Sequence, residues 1–335
     1  MCGIAGYINF NNQPVSKFIL KEMGKAIEHR GPDGEGYWLN NNVGIAHKRL
    51  SIIDLSDAGS QPMISKNKRF ILSYNGEIYN YRELRKILIK KGYFFSSQSD
   101  SEVVLNSLIE WGKNAIEKFN GMFAFALWDN EKKEFLIARD RYGIKPLYYS
   151  IQRNTFSFAS EQKSILKVNN FNRKIEHQAF VEYLTFQNIF SNITFFKDIY
   201  LLQPGYFGVF SEKNKSLNLF KYWDYLFKSE NKINQNEYED QLNFYFKQAV
   251  ERQLVSDVEI GSYLSGGIDS GSITSIASKI YPNLKTFTCG FDLTSVSNLE
   301  LGFDERKKAK QISTFLKTEH NEMILSYGDM EKCLK

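Results

Sequence analysis

Apolar positions along the 335-residue chain fall into two regimes. Up to about residue 210 they form short runs of strand length, interrupted by a few helical segments. Residues 3–10 (GIAGYINF) are nearly continuously apolar, as expected of a buried first strand. From 15 to 29 the spacing changes: Phe18, Ile19, Met23, Ala26 and Ile27 share one side of a helix, and Gly31-Pro32-Asp33-Gly34 ends it with turn chemistry. Segments 43–53 and 69–74 are strand-like. Residues 80–91 predict an amphipathic helix ended by Gly92, and 101–111 predict another. Segments 122–128 and 135–139 flank a polar turn and predict a β-hairpin, which 147–150 and 155–160 continue as strands.

A polar stretch at 211–236 predicts a connection between domains, and the pattern after it is different. Residues 238–253 are helical, 258–264 an apolar strand, 269–280 a helix, 284–291 a second strand and 305–316 another helix. Strands alternating with helices imply βαβ units and a parallel sheet. The expected organisation is an α+β domain at 1–210, a connection at 211–236 and the start of an α/β domain at 237–335. No internal repeat is evident.

Composition adds limits to this picture. Hydrophobic residues make up 42%, aromatic residues 15% and charged residues 24%, values of an ordinary globular chain with ample core. The net charge of +5 comes from lysines scattered among acids. The densest stretch, Asp304-Glu305-Arg306-Lys307-Lys308-Ala309-Lys310, mixes both signs and reads as a solvated helix start. Without a basic stripe interleaved with aromatics, nucleic-acid binding is disfavoured. The three cysteines, Cys2, Cys289 and Cys333, have no paired spacing, which argues against a disulfide framework or a Cys-rich zinc site and fits a reducing compartment. The first twenty residues lack a signal-peptide pattern, and no apolar run approaches the ~18 residues of a membrane span. A cytoplasmic protein without membrane partners is expected.

The candidate chemistry begins at the amino terminus, MCGIAG. Removal of Met1 would leave Cys2 with a thiol and a free α-amine. That amine titrates near ~8, close enough to neutrality to accept the thiol proton directly or through water. Read alone, Cys2 is equally well a small buried residue. Asn75-Gly76-Glu77 follows a strand; an Asn amide and a Gly N–H there can form an oxyanion hole, although Asn-Gly is also an ordinary turn. Arg49 can clamp a carboxylate bidentately or serve as a surface salt bridge. Asp100 can bind an ammonium or cap the helix that follows it. Ser265-Gly266-Gly267-Ile268-Asp269-Ser270 lies between a strand and a helix, where glycines let the backbone approach a phosphate and the helix N-terminus offers free N–H donors. A Walker Gly-Lys-Ser/Thr is absent from the sequence.

Several motifs together carry a resemblance: MCGIAG, His29-Arg30-Gly31-Pro32-Asp33-Gly34, Ala46-His47-Lys48-Arg49-Leu50-Ser51-Ile52-Ile53-Asp54, Tyr74-Asn75-Gly76-Glu77-Ile78-Tyr79-Asn80, Ser99-Asp100-Ser101-Glu102, Gly121-Met122-Phe123-Ala124-Phe125-Ala126, and the stretch from Arg139 through Gly143 to Tyr148. In this order and spacing they resemble the glutaminase domain of class II glutamine amidotransferases. The resemblance implies an αββα sandwich of the N-terminal-nucleophile hydrolase type. Cys2 would attack the side-chain amide of glutamine, forming a glutamyl thioester and releasing ammonia. Asn75 and Gly76 would stabilise the oxyanion, Arg49 would hold the substrate carboxylate, Glu77 and Asp100 its ammonium, and Leu50, Ser51, Ile52 and Ile53 would line the pocket. His29 and His47 need be neither bases nor metal ligands.

The second loop resembles the pyrophosphate loop of ATP pyrophosphatase-type ligases, although Ile268 and Gly271 stand where that family more often has Leu and Ser. Ser265, Gly266, Gly267, Asp269 and Ser270 would cradle the pyrophosphate end of ATP with Mg²⁺, and backbone near Leu264 and Cys289 would hold the adenosine. The two domains together are similar to the glutamine-hydrolysing asparagine synthetase family, which implies adenylation of an acceptor carboxylate, aspartate, and its amidation with release of AMP and pyrophosphate. A sugar acid in surface-polysaccharide synthesis is the alternative acceptor, and a truncated glutaminase or regulatory subunit the alternative role. That family's synthetase domain extends well past position 335, so glutamine hydrolysis is expected to be kept better than synthesis. The chain would then be a fragment, a split gene product completed by a second chain, or a truncated paralogue; a homodimer is the other expected assembly.

Overall fold

The computed structural model describes residues 1–168, 171–227, 234–292 and 304–333. They belong to two compact units, Met1–Phe227 and Lys228–Lys335. Residues 228–233 of the expected connection, and the side chain of Cys333, lie outside the described residues.

The first unit is built on two antiparallel six-stranded sheets. One runs β10-β8-β9-β1-β3-β2 and is made of Tyr200–Leu201, Tyr148–Gln152, Thr155–Ala159, Gly3–Asn9, Val43–Arg49 and Gly34–Asn40 in that order. The other runs β12-β11-β7-β6-β5-β4, from Ser216–Lys221, Tyr206–Ser211, Glu134–Arg139, Gly121–Asp129, Phe70–Ile78 and Met63–Ile64. β1 reads as continuously apolar because both its faces are buried. Ile4 and Ile8 enter the core between the sheets, while Ala5 and Tyr7 join the core beneath α1 (Lys17–Lys25). Helices α2 (Tyr81–Lys90) and α3 (Asp100–Trp111) pack together, and α3 lies on β5 of the second sheet. The result is an αββα sandwich. Its central layer is aromatic: Phe156 stacks on Phe210 at 4.4 Å, and Phe135 meets Phe158 edge-on at 5.3 Å. Each such pair adds about 0.5–1.5 kcal/mol beyond area burial.

Three differences from the sequence expectation have physical causes. The Asn75-Gly76-Glu77 stretch is not a turn; β5 continues through it because β6 pairs with it, Asn75 opposite Ala124 and Gly76 opposite Phe123. The close approach requires glycine, since a Cβ on Gly76 would lie 2.4 Å from the Met122 carbonyl oxygen. The expected connection at 211–236 begins with structure: Ser216–Lys221 forms β12, an edge strand paired along its whole length with β11, so the first unit extends beyond 210. Finally, β2 carries too many glycines and too little alternation to be legible, yet it pairs fully with β3.

His47 is fully buried between the sheets, with Nδ1 3.2 Å from Ser73 Oγ, and burial pushes its pKa down to about 3. The unfolded chain binds a proton at this residue near ~6.5, so the stability it contributes is complete above that pH and is lost progressively as pH falls toward 3. Thermal melts should therefore show Tm falling on acidification from pH 7 to 4. The decline should be shallower in His47→Asn, which cannot titrate; parallel profiles would contradict the assignment.

The second unit is a parallel sheet of order β13-β14-β15 (Gly261–Tyr263, Lys285–Phe291, Glu319–Leu325). Helix α7 (Gln235–Gln253) precedes it, α8 (Ile268–Ile280) and α9 (Arg306–Leu316) connect its strands, and α10 (Tyr327–Cys333) follows. The apolar strand expected at 258–264 is only three residues long. Among the described residues no helix is long and apolar enough to cross a membrane.

Candidate active site

The antiparallel register of β1 and β3, with Gly3 opposite Lys48, places Cys2 beside the Arg49–Leu50 strand end. Leu50 N–H donates to Cys2 Sγ at 3.3 Å. Arg30 Nε donates to the Cys2 carbonyl at 3.1 Å and is itself held by Glu161 at 2.9 Å; Glu161 also takes His29 at 2.8 Å, so His29 belongs to this anchor. Burial pushes the Cys2 thiol up, while the Leu50 N–H, the terminal ammonium and Arg49 pull the other way, and Asp100 adds to the rise. Burial is also the main cause of a lowered pKa at the terminal amine, carried here by Met1.

Facing Cys2 is β5. Its odd positions point between the sheets: Ile71 lies in that core and Ser73 reaches His47, and Asn75 and Glu77 continue the series. Asn75 is 1% exposed, and its Nδ2 has no hydrogen-bond partner among the described residues. An orphaned buried donor is costly unless something accepts from it. A second donor comes from the ladder. Phe123 directs its N–H and carbonyl toward Asp140, so the Gly76–Phe123 pair is a non-hydrogen-bonded one. Gly76 N–H therefore points to the edge of β5 left open where β4 ends. It lies between the Tyr74 N–H, taken by Gln61 Oε1 at 2.7 Å, and the Ile78 N–H, taken by Asp100 Oδ2 at 3.0 Å.

Asp100 is not the cap of α3. Ser99 is, accepting from Glu102 N–H, and this frees the buried Asp100 carboxylate to accept from Tyr74 Oη at 2.7 Å as well. Burial raises its pKa to about 6, against the opposing pull of those two hydrogen bonds. Glu77 is also pushed up by burial, with Lys145 and the terminal amine pulling down. The loop after β3 is fixed from both sides. Arg49 donates to the carbonyls of Ser56, at 2.8 Å, and of Asp54; Ser51 N–H donates to Asp33, and Gln98 N–H to Asp54.

A cavity of about 120 Å³ collects Cys2, Arg49, Leu50, Ser51, Ile52, Ile53, Asn75, Gly76, Glu77 and Asp100. That is small beside the roughly 300–1,000 Å³ of pockets for drug-sized ligands, and suits one compact polar solute. The same walls include Met1, Gly59, Gln61, Tyr74, Ser101 and Lys145, none of which stood out in the sequence as a site residue. Gln61 bridges the Tyr74 backbone and Ser101 Oγ, a role visible only once β5 and α3 are adjacent.

In the second unit the Ser265–Ser270 loop joins β13 to α8. Ser265 Oγ and Ser270 Oγ are 2.9 Å apart, Ser270 Oγ accepts from Ser265 N–H at 3.1 Å, and Ser265 Oγ accepts from Gly267 N–H. Gly266 turns the chain at φ +82°, where a Cβ would also strike Lys308 of α9. Asp269 stands in the first turn of α8, whose N-cap Gly267 offers no side-chain acceptor. Leu264 N–H donates to Phe287 O at 2.9 Å, which brings it next to the β14 stretch holding the exposed Cys289.

Residues 1–223 match the family model described as a glutamine amidotransferase domain, and 241–335 match that of asparagine synthase. The chain is 37% identical to asparagine synthetase [glutamine-hydrolyzing] 1 of Bacillus subtilis (strain 168), over 97% of this chain and 50% of the relative. It is 32% identical to the putative asparagine synthetase [glutamine-hydrolyzing] 2 of Methanocaldococcus jannaschii, over 100% of this chain and 67% of the relative. It thus spans about half to two thirds of the length of these curated relatives. The fold is similar to that of the glutamine phosphoribosylpyrophosphate amidotransferase from B. subtilis complexed with ADP and GMP (TM-score 0.50, 15% identity, 96% of this chain and 65% of that one). With a glutamine amidotransferase domain over two thirds of its length and asparagine synthase sequence after it, the chain belongs to the glutamine-hydrolysing asparagine synthetase family.

Proposed function

We propose that the first unit hydrolyses glutamine and that Cys2 is its nucleophile. The observation that carries this reading is the unpartnered, buried Asn75 Nδ2 in one small cavity with a thiol, a guanidinium and two carboxylates. Glutamine is a solute with a carboxylate at one end, an ammonium beside it and an amide at the other, and these groups complement it. With Met1 removed, the Cys2 α-amine takes the thiol proton, and sulfur attacks the amide carbon. The resulting oxyanion accepts hydrogen bonds from Asn75 Nδ2–H and Gly76 N–H. Collapse breaks the C–N bond as the amine returns its proton to the leaving ammonia, and water then hydrolyses the thioester to glutamate. Arg49 holds the substrate carboxylate; Glu77 and Asp100 hold its ammonium.

The wider activity proposed is ATP-dependent amidation of a carboxylate, aspartate in the first instance, with the released ammonia. Ser265, Gly266, Gly267, Asp269 and Ser270 would hold the pyrophosphate end of ATP, with Leu264 and Cys289 near its adenosine. The fit rests on hard oxygen donors and on a glycine at φ +82° that leaves the loop backbone open beside a helix N-terminus. Asp269 and the two serine hydroxyls suit a phosphate-bound Mg²⁺. Lys308, packed against Gly266, adds a cation to this neighbourhood. Free thiols at Cys2 and Cys289 support a reducing compartment such as the cytoplasm.

The test is ammonia release from glutamine by this polypeptide, followed across pH. Asp100 must be ionised to hold an ammonium, so KM for glutamine should rise as pH falls through about 6, by up to about tenfold per unit. No ammonia release from the processed chain would refute the reading. A flat KM across pH 5–7 would remove Asp100 from the binding role.

A further inference from the structure

We propose that Lys145, which the motifs leave without a task, is a positioning residue of the glutaminase centre, its rigidly anchored chain placing an ammonium in the cavity shared by Cys2 and Glu77. This rests on the glutaminase reading above. Lys145 lies far from Cys2 in sequence, yet it forms part of the same cavity wall. The chain holds it there with unusual rigidity. The buried Asp140 carboxylate accepts from the N–H groups of Phe123, Tyr142, Ile144 and Lys145, at 3.2, 3.0, 3.0 and 3.0 Å. From the other side Arg139 donates to the Lys145 carbonyl at 2.9 Å, to the Leu202 carbonyl at 2.7 Å and to the Gly143 carbonyl. Gly143 completes the turn at φ +66°.

Both backbone groups of one lysine are thus fixed by buried charged side chains, an arrangement a solvent-facing lysine would not need. Two charged groups so used constrain where the ammonium can reach, and what it reaches is the cleft. The charged and titratable groups around Cys2 and Glu77 are Arg30, Arg49, Tyr74, Tyr79, Asp100 and Lys145. Arg30 is occupied by the Cys2 carbonyl and Glu161, and Arg49 donates to two loop carbonyls. Burial is the larger influence on both groups; Lys145 opposes it at Glu77 and, with Arg30, adds to it at the terminal amine, carried here by Met1.

The experiment measures the pH dependence of Cys2 alkylation by iodoacetamide, read on the N-terminal peptide by mass spectrometry so that Cys289 and Cys333 are scored separately. Chains with Met1 removed, verified by intact mass, are compared as wild type, Lys145→Met and Lys145→Arg, each with a thermal melt. Lys145→Met should shift the half-maximal pH upward by about one unit, making alkylation and glutamine hydrolysis up to about tenfold slower at pH 7 and recovering both at higher pH. Lys145→Arg should restore the wild-type profile. A folded Lys145→Met whose profile stays within ~0.2 units of wild type overturns the proposal, as does a uniform loss at every pH. A shifted alkylation profile in a chain that releases no ammonia from glutamine would sink the glutaminase reading and leave the role of Lys145 standing.

Discussion

Cys2→Ala is expected to abolish glutamine-dependent ammonia release, a loss of at least about 10⁴-fold, because Cys2 is the only thiol among the residues that line the cavity. The melting temperature should move little. Cys2 precedes the first strand, and its only side-chain hydrogen bonds among the described residues are with the Leu50 backbone, while its carbonyl keeps the bond from Arg30. The variant should still bind glutamine, seen as stabilisation in a thermal shift assay, since Arg49, Glu77 and Asp100 remain. Binding without turnover is the signature that separates a lost nucleophile from a lost fold. If ammonia release survives, the nucleophile lies elsewhere and the cleft has been misread.

The second large effect belongs to Asn75. Asn75→Ala should lower kcat for glutamine hydrolysis by about 10²–10³ with little change in KM, since an oxyanion donor acts on charge that develops only in the transition state. The same substitution should cost almost no stability. The amide Nδ2 is buried and has no hydrogen-bond partner among the described residues, so removing it relieves a desolvation penalty as it removes packing. Asn75→Asp is the sharper variant: it keeps the shape and replaces a donor by an acceptor, so it should be at least as inactive. A kcat within threefold of wild type in either variant would leave the orphaned amide without a function.

Asp100 connects the chemistry with its cost. A carboxyl whose pKa is raised from 3.8 to about 6 makes the folded state less stable as pH climbs through that window, since the unfolded chain gives up its proton first. The Tyr74 hydroxyl and the Ile78 N–H offset part of the burial penalty. A group held at such expense beside an open Gly76 N–H fits a binding role, consistent with the tendency of functional sites to carry strained electrostatics.

How far the sequence reaches can be judged residue by residue. Helix α1 was legible because Ile19 and Met23 recur at helical spacing, although Phe18, expected on the same side, is exposed and Leu20 is buried instead; β1 was legible because an unbroken apolar run of strand length has few other homes. The parallel second unit followed from alternation of strand and helix. Less was visible where pairing partners override local preference. Asn75-Gly76 is turn-forming by itself and becomes strand only because β6 supplies a partner across a glycine-narrowed gap. Ser216–Lys221 looked like a linker because its flanks are polar, although Leu217 and Leu219 alternate in strand fashion. The Asp100 side chain could be read as a cap until the structure gave that task to Ser99.

The sequence by itself pointed to two successive patterns of elements, to Cys2, to the Arg49, Asn75–Glu77 and Asp100 segments that meet it in one cavity, and to the Ser265–Ser270 loop, because each is a local pattern of residue type and spacing. Only the tertiary structure decided that the Gly76 N–H points to an open strand edge, that the Asn75 amide has no partner among the described residues, and that Gln61 and Lys145 share the wall with Cys2. Those facts depend on which strand edge stays open, and on contacts between segments tens to more than a hundred residues apart. No local spacing rule encodes such contacts; they arise when the two sheets close on a common core.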